Sequence, residues 1–321
     1  MKFTFLSDPL SQLDPGHDSS VAMMEAAQAL GHAVWVASMG DLRVRKSQAW
    51  AQVQPVRLQP VELKDSHWEA APEWFSLGEA EWVDLATMDA VFVRTDPPVT
   101  IPYLWATQIL DLLAGTSTLV LNSPRGLQAA NEKLFALRFP TVIPTTIVTL
   151  DKQVIREFVT DQGKAVLKPL DGKAGEGILF LQADDRNLNS LIEISTKRGR
   201  EPVMVQQFLP EAKDGDKRVI LLDGEPIGAV NRIPTGSEFR GNMAVGGRVA
   251  AAEVTPRDRE IAAALAPELR ANGLYFVGID VIGGYLTEIN VTSPTGIREI
   301  DRLNNTRLGQ QVIDWLAARL Q

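Results

Sequence analysis

Three oxygen-bearing side chains, Asp280, Glu288 and Asn290, interrupt an otherwise apolar stretch at residues 278–290, GIDVIGGYLTEIN. Two carboxylates and an amide oxygen are hard donors of the kind Mg²⁺ selects, and Mg²⁺ in turn bridges to phosphate oxygens. The apolar runs on either side of Gly283-Gly284 read as a hairpin. Side chains alternate between faces along a strand, so Glu288 and Asn290 share one. Asp280 joins them when the turn holds an odd number of residues, such as 283–285, which sets it opposite Glu288. A two-residue Gly-Gly turn sends it to the other face. The odd turn also gathers Ile279, Val281 and Ile289 on one apolar face, so it is the expected one. An ordinary sheet with one solvated face carries similar residues. Here, however, Asn290 leads directly into VTSPTGIREI, a polar loop that reads as the wall of a site.

Lys133, in NEKLF, and Lys168, in VLKPLDG, are the next candidates. Lys168 ends the apolar run Ala165-Val166-Leu167 and precedes the Gly-rich turn DGKAGEG. A cation there can meet phosphate oxygens while backbone amides of the turn cover them. Taken singly, each lysine better suits a solvated surface, and neither segment is a Walker A loop or a GxGxxG fingerprint. Residues 203–208 read as a strand, and Gln207, Phe208 and Leu209 offer amide edges and an apolar wall to a purine. Arg218 projects from the strand beside them; a buried meander with a charged rim fits the same letters.

Asp18, Ser19 and Ser20 open a helix after the first strand. Open α/β sheets bind ligands there, and helix N-termini favour anions, although a plain N-cap is the simpler use. Arg94, in RTDPP, ends a strand and suits either a bidentate grip on a carboxylate or a turn of the chain. Residues 232–250, RIPTGSEFRGNMAVGGRVA, carry Arg240, Asn242 and Arg248 among glycines. Such a segment is a loose connection or a lid. Read alone, the loose connection is the simpler use; the lid, which would shield a reactive intermediate from water, becomes the expectation only with the resemblance given below.

These residues need elements to hold them. At 321 residues, 45% hydrophobic and 22% charged, the chain has material for one large or two medium cores. No apolar run approaches the roughly 20 residues of a membrane span, and MKFTFLSDPL reads as a first strand rather than a signal peptide. The net charge of −8 without a basic cluster argues against nucleic acid as a partner. With Cys 0 and His 3, disulfides, thiolate chemistry and a zinc signature drop out. Catalysis is left to carboxylates, Lys, Arg, backbone amides and hard cations, which points to phosphate chemistry.

Strand patterns at 2–6, 33–38, 90–94 and 118–121 alternate with helical ones at 18–30 and 102–114, which predicts a largely parallel α/β layer. Residues 50–82 carry hairpin-like runs and several Trp. Ser123-Pro124 starts a helix whose apolar stripe is Leu127, Ala130, Leu134 and Leu137, with Lys133 beside it. Strands near 164–168, 178–181, 203–207, 217–222 and 226–232 then pair across Gly-rich turns. A boundary near residue 122 divides a 1–122 α/β domain from a 123–321 α+β domain.

Taken in order, DSS, R-x-D-P-P, N-x-P-x-x-L-x-x-x-N-E-K, L-K-P-L-D-G, D-G-D-K-R, R-I-P…R-G-N…G-G-R and L-T-E-I-N-V-T-S-P-T resemble the prokaryotic glutathione synthetases. The resemblance spans nearly the whole chain, and LTEINVTSPTGIREI with DGDKRV is its most specific part. DGKAGEG departs from the pattern, with Ala174 and Glu176 where the family carries a denser glycine run. The resemblance implies a Rossmann-like pre-ATP-grasp domain followed by an ATP-grasp fold, with a lid subdomain at about 141–205. It implies that Lys133 and Lys168 bind ATP phosphates, that Gln207, Phe208 and Leu209 line the adenine pocket and that Asp216 lies near the ribose. Asp280, Glu288 and Asn290 would hold two Mg²⁺, or Mn²⁺ in their place. Arg218 would act in catalysis, and Asp18, Ser19, Ser20, Arg94, Arg240 and Asn242 would bind substrate.

The implied reaction joins glycine to γ-glutamylcysteine through an acyl phosphate, in a cytoplasmic homo-oligomer, for which the resemblance implies a tetramer. Competing readings are another ATP-grasp ligase using glutamate or D-amino acids, and an ATP-binding module without catalysis. A nicotinamide dehydrogenase lacks its fingerprint.

Overall fold

The computed structural model describes residues 1–172, 175–235 and 248–321, which build an N-terminal α/β sheet, two larger antiparallel sheets and a two-stranded ribbon of Glu62–Lys64 with His67–Glu69. Lys2–Ser7, Ala33–Ala37, Ala90–Arg94 and Leu119–Leu121 pair in parallel, with Lys2–Ser7 between the second and third. Their few polar residues suit strands covered on both faces. Phe5 stacks on Phe92 with centroids 4.2 Å apart. Helix Ser19–Ala29 starts where expected: Asp18 caps it by accepting from the amides of Ser20 and Val21. The segment at 50–82 extends this sheet, because the long strand Gln48–Leu58 pairs antiparallel with Ala33–Ala37, Leu42–Arg45, Phe75–Leu77 and Glu81–Asp84.

The four-stranded sheet runs Thr146–Thr149, Val203–Gln207, Lys164–Pro169, Leu179–Gln182. Helices Lys152–Gln162 and Leu188–Ser195 back it, and its core of Ile155, Val159, Leu167, Leu181, Ile192 and Val205 is its own. The five-stranded sheet runs Arg248–Ala252, Glu225–Ile233, Asp216–Leu222, Phe276–Ile282, Tyr285–Asn290. Its core is shared. Val277, Ile279 and Ile289 belong to one apolar cluster with Leu6, Val91 and Val93 of the N-terminal sheet. Asn122 fastens the junction, donating to the carbonyls of Phe276 and Val291 at 2.7 and 2.8 Å and accepting from Phe276 N at 2.8 Å.

Helix Leu308–Arg319 closes over helix Ser19–Ala29, where Gly309 permits an approach that a Cβ, only 2.8 Å from the Ala22 carbonyl, would forbid. Among the described residues no helix is long and apolar enough to cross a membrane.

One expected helix starts where predicted, at Ser123-Pro124, but is cut short. Pro124–Ala129 is a short α-helix, Leu134–Arg138 is a separate 3-10 turn, and Leu134, assigned to a buried stripe, is exposed. Asn131 divides them. Its Oδ1 accepts from Lys133 N at 3.1 Å and Leu134 N at 3.0 Å, a local turn that outcompetes the helical ladder, and its Nδ2 donates to Leu170 O. Lys133 therefore stands at a break in the chain rather than on a helix face.

Candidate active site

The hairpin that carries the oxygen donors reaches its register by an unexpected route. Its turn is the two-residue Gly283-Gly284, with φ of +57° and +78° and Ile282 paired to Tyr285, so the three-residue turn is corrected. Asp280 nevertheless lies opposite Glu288, because the ladder shifts between Asp280 and Val281 and leaves Thr287 as an extra, bulged residue. The bulge sends Leu286 into the core and keeps Asp280, Glu288 and Asn290 on the same cleft. It also brings a carbonyl inward: Thr287 O accepts a long 3.5 Å contact from Lys168 Nζ.

Cross-strand pairing builds the charge network behind this hairpin. Arg218 is directly opposite Asp280, and Asp216 is directly opposite Arg232. Arg218 Nε and Nη2 donate to the two Asp280 oxygens at 2.6 and 3.2 Å, while Arg232 Nη2 reaches Asp280 Oδ1 at 2.9 Å and Asp216 Oδ2 at 2.6 Å. Burial alone would raise the Asp280 carboxyl, but the two guanidinium groups outweigh it and hold Asp280 well below the usual carboxylate range. For Asp216 burial wins, and its carboxyl is pushed up despite Arg232. Its Oδ1 has no partner among the described residues. Lys217, between them in sequence, points the other way to Asp258 at 2.8 Å. Arg232 was missed at the sequence level. The alternation Asp216, Arg218 opposite a downstream Arg was its only signal.

The break at Asn131 places two further groups. Lys133 Nζ donates to Gly172 O at 2.7 Å and pairs with Glu288 at 3.0 Å. Glu132, also unforeseen, accepts from Val291 N, Thr292 N and Thr292 Oγ1 at 2.9, 3.1 and 2.8 Å, pinning the loop after Asn290. Burial, then the nearby Glu288, raises its carboxyl. Lys168 donates to Gln206 Oε1 at 2.7 Å, and burial lowers its ammonium pKa.

Two clefts result. One, of about 850 Å³, lies between the antiparallel sheets and gathers Lys133, Lys168, Gln207, Phe208, Leu209 and Asp216. The other, of about 1310 Å³, lies towards the N-terminal sheet and is lined by His17, Asp18, Arg218, Arg232, Asn290 and residues 292–295. Asp280 and Glu288 line both.

The expected substrate residues divide. Asp18 faces the second cleft. Ser19 and Ser20 are buried: Ser19 Oγ accepts from Ile297 N, and Ser20 Oγ accepts from Arg94 Nε at 3.0 Å. Arg94 is buried too, and its Nη2 donates to Pro294 O at 3.0 Å. These three tie the N-terminal sheet to the wall at residues 292–297 instead of being displayed in the cleft. Arg240, Asn242 and the expected lid lie outside the described residues.

Asp280, Glu288 and Asn290 fit a hard divalent cation. All three are oxygen donors on one cleft, and Asn290 Nδ2 is engaged by Gly278 O at 3.2 Å, which leaves its carbonyl oxygen as the free atom. Among the described residues there is no cluster of three or more His, Cys, Asp or Glu, so phosphate oxygens and water would complete the shell.

Comparison with known proteins agrees with this geometry. Residues 1–128 match the prokaryotic glutathione synthetase N-terminal domain, and residues 132–305 match the prokaryotic glutathione synthetase ATP-grasp domain. The chain is 67% identical over 316 residues to the glutathione synthetase of Thermosynechococcus vestitus, covering 98% of this chain and 99% of that protein. The corresponding identity to the glutathione synthetase of Synechocystis sp. is 66%, with the same coverage. Among solved structures, the D-cycloserine synthetase DcsG superposes with a TM-score of 0.65 at 15% identity over 100% of both chains. The ATP-grasp ligase PsnB complexed with minimal precursor gives 0.65 at 20% identity, covering 100% of this chain and 98% of that one. At these identities the structural likeness is one of fold.

Proposed function

The chain belongs to the prokaryotic glutathione synthetase family, and on that premise we propose how its residues ligate glycine to γ-glutamylcysteine at the expense of ATP. The observation that carries the reading is the convergence of two clefts of different character on Asp280 and Glu288. A donor phosphoryl group enters from one side and an acceptor carboxylate from the other.

Nucleotide takes the cleft between the sheets. Gln207, Phe208 and Leu209 flank the adenine, Asp216 Oδ1, which has no partner among the described residues, accepts from the ribose, and Lys133 and Lys168 neutralise the phosphates. The cysteinyl carboxylate of γ-glutamylcysteine attacks the γ-phosphorus, the bond to ADP breaks, and an acyl phosphate forms. The glycine amine then attacks the acyl carbon, a proton is lost, the C–N bond forms and phosphate departs. Arg218, fixed by Asp280 and by Nη1 on Thr295 O at 3.1 Å, stabilises the oxyanion of that second step. The family works with a divalent metal, and we assign two ions, Mg²⁺ or Mn²⁺, to Asp280, Glu288 and Asn290. When bound they neutralise charge on the phosphoryl group in transfer.

Residues 1–122 form the substrate domain in this reading, residues 123–321 the ATP-grasp domain, and about 141–205 its lid subdomain. The proposal extends to a cytoplasmic homo-oligomer, for which Ile101 and Trp105, exposed one turn apart on helix Ile101–Leu110, offer apolar contact area.

A coupled ADP-release assay with γ-glutamylcysteine and glycine, each omitted in turn, tests the reading. ADP and glutathione should appear one for one, and only with both present. Faster turnover with glutamate or a D-amino acid in place of glycine would transfer the chain to another ligase specificity.

A further inference from the structure

The second cleft is short of free positive charge. Among the described residues that line it, Arg218, Arg232 and His17 carry or can carry a cation, and both arginines are bonded to Asp280. His17 is different. Its side chain is 36% exposed, and its Nδ1 lies 2.6 Å from Glu299 Oε1. Glu299 itself is buried, and its other oxygen has no partner among the described residues. Among the described residues the ring therefore supplies the one hydrogen bond of this buried carboxylate. With Nδ1–H directed at Glu299, Nε2 is the nitrogen left over, and it is a donor only when the ring is protonated.

The loop that presents the ring is fixed. His17 N and Asp18 N both donate to Asp14 O, at 3.0 and 2.8 Å, and Gly16 N donates to Asp14 Oδ1. Arg298, ion-paired with Glu25, donates to Pro15 O at 3.1 Å. His17 lines the second cleft and not the nucleotide cleft, so it stands away from the place where the phosphoryl group arrives. Its sequence neighbour Asp18 spends Oδ1 on its helix cap. The wall thus pairs an anion and a potential cation side by side.

We propose that His17, held as an imidazolium by Glu299, binds the α-carboxylate at the glutamyl end of γ-glutamylcysteine, with Asp18 beside it to receive the α-ammonium. This rests on the dipeptide reading above and deepens it. γ-Glutamylcysteine carries two carboxylates. The cysteinyl one must reach Asp280 and Glu288 to be phosphorylated, so the carboxylate left for the outer wall is the glutamyl α-carboxylate. The charged groups facing the ring are Glu299, Asp18 and Asp14, with Arg298 nearby but committed to Glu25. The hydrogen bond to Glu299 raises the His17 pKa, burial opposes it, and the charges of Glu299, Asp18 and Asp14 raise it further. Affinity for the dipeptide is therefore full below that raised pKa and falls as pH rises through it.

The test compares γ-glutamylcysteine with 4-aminobutanoyl-cysteine, which keeps the thiol, amine and reacting carboxylate and lacks only the α-carboxylate. In the wild type the analogue should bind about tenfold more weakly or worse, the usual worth of a charge-assisted hydrogen bond. His17→Gln should raise KM for γ-glutamylcysteine by the same factor, with kcat within about twofold, and should not weaken the analogue further. His17→Lys should keep the affinity and abolish its fall with rising pH. Losses that multiply, where the analogue suffers in His17→Gln as much as the dipeptide does, overturn the assignment while leaving glutathione synthesis intact. Should the variants fail to fold, the wild type alone decides: its dipeptide affinity must fall with pH while that of the analogue stays flat, and two parallel curves refute the proposal. A wild type that binds no γ-glutamylcysteine at any pH overturns the functional reading and this inference together.

Discussion

Asp280 and Glu288 face each other across one hairpin, yet the protein treats them in opposite ways. Asp280 is buried, held by two arginines, and fixed through three contacts of 2.6 to 3.2 Å. Glu288 is partly exposed and touches one cation, Lys133, at 3.0 Å. The first carboxylate belongs to the scaffold as much as to the site, since leaving either partner alone would strand a buried charge. The second is coupled to a lysine that a polyphosphate can claim. Lys133 also holds Gly172 O, so the residue that would greet the nucleotide keeps both a glycine turn and a site carboxylate in place beforehand. The difference separates a group that maintains geometry from one whose partnership is built to change.

The largest expected effect comes from the rigid side of the pair. Arg218→Met should lower ligation about a thousandfold and cost about 3 kcal/mol in urea unfolding, because a buried ion pair is broken. An unchanged unfolding midpoint would place Asp280 in the same loosely held class as Glu288. Next comes Glu288→Gln, which keeps shape and removes one charge. Ligation should fall about a hundredfold, with a smaller loss of unfolding midpoint than in Arg218→Met, because the buried Lys133 keeps Gly172 O as a partner when the charge is removed.

Lys133→Ala and Lys168→Ala should each weaken ATP binding about tenfold in calorimetry and leave γ-glutamylcysteine affinity within about twofold. Unaltered ATP affinity in both would end the phosphate assignment. The smallest effect is confined to acid. Asp280 is held below its unfolded value of about 3.9, so its contribution to stability is present above that pH and is lost as pH falls through the lower folded value. The gap in urea midpoint between wild type and Asp280→Asn should be constant from about pH 5 to 8 and narrow below about pH 4. A gap independent of pH would mean that the arginines do not discriminate the ionised form.

Much of this was legible in the letters. The parallel strands, the Asp18-capped helix and the three oxygen donors of the hairpin follow from periodicity, cap chemistry and residue type. The bulge at Thr287 was not, because parity counted from a turn cannot detect an extra residue inserted further along the strand. The helix break at Asn131 was hidden for a different reason. An apolar stripe continues through it, while the decisive term is a side chain that bonds two backbone amides. Arg232 and Glu132 were unreadable because Arg232 meets Asp280 across an intervening strand, about 48 residues away along the chain, and Glu132 meets the loop at 291–292, about 159 residues away, and local pattern specifies neither contact. Arg94 and Ser20 have the chemistry to bind a carboxylate, and only burial shows them bonded to each other.

The sharing of Asp280 and Glu288 by two clefts has a thermodynamic consequence. Occupants of the two cavities meet the same two side chains, and whatever factor one imposes on the affinity of the other must be returned in equal measure. On the proposed assignment each substrate would bring negative charge towards the same two carboxylates, and divalent cations held there would offset it. A single coupling constant, measured from either side with and without metal, reports how completely they do so.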